Sequence, residues 1–167
     1  MDSHLERLQQ ELEKALAAAT PAAMSTAPSG KWTPVQILEH LYLTYEGTNR
    51  GLSKCLETGA PLATRATFKN RLQTFAVVTL QYFPSGRKSP ERATPRGMPS
   101  DELLRVIFPE IRQMGSSLAE CQRRFGARTK ILDHPILGPL TSREWSKFHL
   151  VHGLHHVRQL RERTIRD

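Results

Sequence analysis

Leucines at positions 5, 8, 12 and 16 recur every three or four residues among charged neighbours, which predicts an amphipathic helix from Ser3 to about Ala19 that stops before Pro21. Thr20 to Lys31 is rich in Ala, Pro, Ser and Gly and reads as a connector. A second helix opens at Thr33-Pro34-Val35-Gln36: Thr33 can cap, Pro34 suits the first helical position, and Gln36 completes a capping box. Its apolar stripe is Ile37, Leu38, Leu41, Tyr45, Leu52 and Leu56, and Gly59-Ala60-Pro61 ends it. A third helix is expected from about Thr64 to Tyr82, with Pro84 closing it. Prolines 84, 90, 95 and 99 and glycines 86 and 97 make residues 84–99 a surface loop of the kind that borders a site. Ser100 is expected to cap a fourth helix, with Asp101 and Glu102 in its first turn and an end near Gly126. Pro109 either bends that helix or marks a later start. Residues 133–140 read as a second structured loop, and Thr141-x-x-Glu144 is a capping box that opens the last helix. No alternation is long enough to predict a sheet. The expectation is all-α: a four-helix bundle plus an N-terminal helix, in one domain over residues 1–167.

Composition narrows the class. Hydrophobic residues are 38% and charged residues 24%, with mean hydropathy −0.46, as in a globular chain with a proper core. Net charge +8 and a pI near 10.0 direct attention to anionic partners. The cations are scattered: Arg87, Lys88, Arg92 and Arg96 in the proline-rich loop, Arg123, Arg124, Arg128 and Lys130 around a helix end, and Arg158, Arg161, Arg163 and Arg166 at the C-terminus. Without a basic block or an aromatic-interleaved ladder, a nucleic-acid partner is not expected. Cys55 and Cys121 follow no zinc-ribbon or disulfide spacing and read as small buried hydrophobes. The N-terminus is charged and no apolar stretch is long enough to span a bilayer, so a cytoplasmic location without membrane association is expected.

Candidate chemistry lies in the last helix, where four of seven histidines fall between His149 and His156. On a helix, His152 and His156 stack one turn apart and can direct their nitrogens at one ion. Trp145, Phe148, His149, His152, His156 and Leu160 share an arc of roughly 120°, with His155 at its edge. Leu150, Leu154 and Val157 line the opposite side, so this helix should be contacted from two directions, and a homodimer face is one way to cover it. A third ligand must come from elsewhere, and His40 is the best candidate. It shares a helix side with Thr44, Gly47, Thr48, Gly51 and Cys55, where the glycines permit either close helix packing or a substrate cavity.

The run Trp32-Thr33-Pro34-x-Gln36-Ile37-Leu38-Glu39-His40-Leu41, then His134-Pro135-x-Leu137-Gly138-Pro139-Leu140-Thr141, Glu144-Trp145 and His152-x-x-His155-His156-x-x-Gln159, resembles the DinB/YfiT-like superfamily over about residues 30–160. The resemblance implies a four-helix bundle of up-down-down-up connectivity with a divalent metal, often zinc or nickel, held by three histidines. The family's early histidine maps to His40 and its late pair to His152 and His156, with His155 an intervening residue. The family includes thiol-dependent S-transferases, which implies a low-molecular-weight thiol as a possible reactant, and many proteins of other roles. The chain looks most like the branch with the His-Pro-x-Leu-Gly-Pro-Leu-Thr loop, which gives no substrate away.

A three-histidine site with open positions can activate water or a thiol, or polarise a carbonyl, so a transferase or hydrolase acting on a small, anionic molecule is the expectation. Glu39 and Gln159 are candidates for orienting the ligand imidazoles or for acid–base work, against plain surface roles. His149 and His134 are candidates for lining the pocket. The rival from another class is a non-catalytic assembly protein that uses a dimer face or its basic surface.

Overall fold

The computed structural model describes residues 2–80 and 89–164. Four long helices form the bundle: α1 (Ser3–Ala17), α3 (Pro34–Thr58), α5 (Ser100–Phe125) and α6 (Ser142–Thr164). Shorter helices α2 (Pro21–Met24) and α4 (Phe68–Thr74) lie in the connections, and a two-stranded sheet of β1 (Lys130–His134) and β2 (Gly138–Thr141) precedes α6. The all-α bundle is thus present, and the N-terminal helix is one of its four members.

The caps explain where the long helices begin. Thr33 and Gln36 form the predicted box, with Thr33 N–H donating to Gln36 Oε1 at 2.9 Å and Gln36 N–H to Thr33 Oγ1 at 3.2 Å. Gly59 closes α3 in the left-handed region at φ 67°. Thr141 and Glu144 form the second predicted box at 2.7 and 3.2 Å, and Lys130 Nζ lies 2.6 Å from the same Glu144 oxygen that accepts the Thr141 amide. For α5 the expectation differs: Ser100 is the first helical residue, Pro99 occupies the cap, and no side chain caps it. Asp101 and Glu102 still offset the exposed amides of that turn, and the helix runs through Pro109 to Gly126 without a break.

Between α3 and α5 the predicted third helix starts late and is short. Thr67 takes the cap together with Asn70, so α4 begins at Phe68. It widens into a π turn over Phe75–Thr79, where Val77, Val78 and Thr79 crowd the preceding turn. The expected end at Tyr82 and Pro84, and the loop cations Arg87 and Lys88, lie outside the described residues, as does Arg166. The loop expected at 133–140 contains an antiparallel hairpin with Leu132 opposite Leu140 and His134 opposite Gly138. Its strands are too short to show alternation in sequence. The hairpin is tied to the bundle by Leu62 N–H to Ile131 O at 2.9 Å and Cys55 Sγ to Ile131 O at 3.3 Å.

Leu5, Leu8 and Leu12 of α1 are fully buried, and α1 lies along α6. Gly153 makes this possible, since a Cβ there would collide with Leu8. α6 is therefore packed on both sides, by α1 on one and by α3 and α5 on the other. Leu150, Leu154 and Val157, the residues that motivated a dimer face, join the core of their own chain. Gly51 sits against the Leu132 side chain, so close packing explains it, whereas Gly47 faces open space.

Candidate metal centre

His40 lies in the second turn of α3, and His152 and His156 lie one turn apart on α6, so the packing of α3 on α6 brings three imidazoles together. His152 Nε2 lies 3.2 Å from His40 Nε2 and 3.1 Å from His156 Nε2, and the three possible ligand atoms fall within 4.8 Å of one another. All three side chains are buried.

Their second nitrogens fix how two of the rings are protonated. His40 Nδ1–H donates to the Ala93 carbonyl at 2.7 Å, and His156 Nδ1–H donates to Gln159 Oε1 at 2.9 Å. The Nε2 atoms of His40 and His156 thus carry bare lone pairs, and both converge on His152 Nε2. One proton on that nitrogen cannot satisfy both. A dication with bonds of about 2.0–2.1 Å at angles of about 90–109° would hold ligand nitrogens about 2.9–3.4 Å apart, which matches the two close separations. Burial pushes His40 and His152 below the ordinary imidazole value, and His156 down to about 3, so all three rings are neutral at pH 7. Neutral imidazole is the ligand form. The donor set fits a divalent ion.

The surroundings are largely aromatic. Phe148 stacks on His152 with centroids 5.4 Å apart and 9° between planes, and the Trp32 ring lies 5.2 Å from His40. Gln159 links two histidines, since its Nε2 lies 3.1 Å from His155 Nε2 while its oxygen serves His156. Glu39 is 2% exposed and its carboxylate accepts the backbone N–H groups of Arg96 at 2.7 Å and Gly97 at 2.9 Å.

The two other candidate lining residues sit near the centre without joining the trio. His149 is fully buried, stacked on Trp145 and edge-on to Tyr45. Its Nε2–H donates to Thr48 Oγ1 at 3.1 Å, because that hydroxyl already donates to the Thr44 carbonyl at 3.0 Å. Burial lowers its pKa to about 3. His134 Nδ1 accepts the amides of Ile136 and Leu137, both at 3.1 Å, and so organises the hairpin turn. Its ring packs on Phe148 with centroids 4.3 Å apart, while burial, with Arg92 nearby, lowers its pKa to about 4. Burial raises the Cys55 thiol and pushes Cys121 up to about 11, which leaves neither as a ready thiolate.

Residues 89–97 supply what the sequence reading missed. Ala93 contributes only a backbone carbonyl, and a carbonyl has no signature in the residue type. The one available signal was the clustering of prolines and glycines that marked this stretch as a loop beside a site.

A bundle with three convergent, neutral imidazoles defines a candidate metal-binding helical protein. A family model described as the DinB superfamily matches residues 4–160, and the chain belongs to that superfamily. No curated protein and no solved structure matches the chain. Among the described residues, no helix is long and apolar enough to cross a membrane.

Proposed function

We propose that the protein is a divalent-metal-dependent enzyme of thiol S-transferase or hydrolase type, built on a centre of His40, His152 and His156. The observation that carries this reading is the convergence of their Nε2 atoms with the outer nitrogens of His40 and His156 already committed to Ala93 and Gln159. Three protein ligands leave a coordination position for a reactant. Zinc or nickel held there would supply Lewis acidity toward a water or a thiol. The chain's own residues do the positioning: the Ala93 carbonyl holds His40, Gln159 holds His156, and Phe148 and Trp32 cover ring faces against water. A small anionic substrate suits the net charge of +8, with a low-molecular-weight thiol as the second reactant and the cytoplasm as the compartment in which both cysteines stay free.

A non-catalytic assembly role is the second reading, favoured by two observations. The ligands are only 5–7% exposed, which suits a metal that holds structure. Phe68, Leu72, Phe75 and Leu80 are each more than half exposed and offer an apolar face for a second copy of the chain.

Elemental analysis of tag-free protein decides the metal question, with His152→Ala and His156→Ala as controls. About one zinc or nickel per chain, lost in both variants, is expected and leads to screens for thiol transfer and hydrolysis. No metal after reconstitution with either ion removes the proposal.

A further inference from the structure

Glu39 and His40 are neighbours on α3, and both reach the same strap of backbone at residues 89–97. His40 takes the carbonyl of Ala93, which ends a short 3₁₀ turn at Glu91–Ala93. Glu39 takes the amides of Arg96 and Gly97, one on each carboxylate oxygen. Gly97 has φ +96°, a conformation that a side chain resists, so this residue permits the turn that presents both amides to one carboxylate. Ser89 Oγ adds a contact of 3.3 Å to the Ala93 carbonyl. The strap is thus held at Ala93 by a candidate metal ligand and three residues later by the residue beside that ligand.

We propose that Glu39 is a positioning residue for the metal centre that acts through this strap. By holding Arg96 and Gly97 it sets the place of the Ala93 carbonyl, and that carbonyl sets the tautomer and ring plane of His40. The inference rests on the metal reading above. It assigns Glu39 an anchoring role rather than an acid–base one, because both oxygens already accept short hydrogen bonds in a buried setting. Coupling of this kind is reciprocal: whatever the strap adds to ion binding, the ion returns to strap order. Partners that orient ligand imidazoles contribute roughly 10–100-fold to metal affinity.

The test measures zinc affinity by chelator competition for the wild type, Glu39→Gln and Glu39→Ala, together with amide exchange at Arg96 and Gly97 with and without zinc. Glu39→Gln should weaken zinc binding roughly 10–100-fold with the helical content unchanged. Zinc should slow exchange of both amides in the wild type, on the order of tenfold, and have no such effect in His152→Ala. Wild-type zinc affinity in Glu39→Gln, or exchange unaffected by bound zinc, overturns the role of Glu39 and leaves the metal centre standing. Failure of the wild type to bind zinc or nickel removes the centre and this inference together. If Glu39→Ala does not fold, the Gln variant and the wild-type exchange data decide.

Discussion

His149 allows a quantitative test of how the interior treats imidazole. Its pKa in the fold is about 3, and burial is the dominant cause. In the unfolded chain the ring titrates near its ordinary value of 6.5. The folded value is the depressed one, so unfolding takes up a proton whenever the pH lies between the two. The stability that His149 contributes is complete above about pH 6.5 and is lost as the pH falls toward 3. The slope is about 1.4 kcal/mol per pH unit, so over roughly three units this one ring removes about 4–5 kcal/mol. That is a large share of the roughly 5–15 kcal/mol available to a domain. The perturbation is His149→Leu, which keeps an apolar group against Trp145 and Tyr45, and Thr48 retains its bond to the Thr44 carbonyl. Urea unfolding followed by tryptophan fluorescence, in chelator and at several pH values from 7.5 to about 4.5, gives both curves. His134 and His156 also titrate low, so both proteins should lose stability in acid. The variant should lose it less steeply, by about 1.4 kcal/mol per unit below pH 6. Parallel curves would refute the reasoning, because they require His149 to be equally ready to protonate folded and unfolded.

Two further outcomes follow from the packing and the donor set. Gly153→Ala should cost about 1–3 kcal/mol by thermal or urea unfolding, since its methyl meets Leu8, and Leu8→Val should recover part of that loss in the double variant; additive losses would mean that the helices do not touch there. Zinc or nickel at a hundredfold excess over its Kd should stabilise the wild type by about 2.7 kcal/mol in a melting experiment and leave His152→Ala unmoved.

The long helices were legible from apolar residues at helical spacing, with a capping residue before α3 and α6 at Thr33 and Thr141 but none before α5. The clamp of His152 and His156 was legible for the same reason, since a spacing of four fixes two side chains on one face. Periodicity says that a face is covered but not by what. Leu150, Leu154 and Val157 therefore suggested a second copy, whereas the chain's own α1 lies along that helix. The hairpin escaped because four- and five-residue strands, one containing Pro139, carry too little alternation to recognise. Glu39 read as either an orienting residue or an acid–base group because a carboxylate beside a ligand suits both, and its attachment to Arg96 and Gly97 is a matter of backbone direction that no residue type encodes.

The lining of α6 by α1 also orders events during synthesis. Leu5, Leu8 and Leu12 are made well before the helix they chiefly cover, which spans residues 142–164. α5 meets α1 as well but far less extensively than α6 does, so the apolar face of α1 closes fully only once residues 142–164 have been made. His40 waits as well, because its two partners lie on that same late helix. The three imidazoles therefore come together only after α6 has been made and packed, so the candidate centre is among the last features of the fold to form.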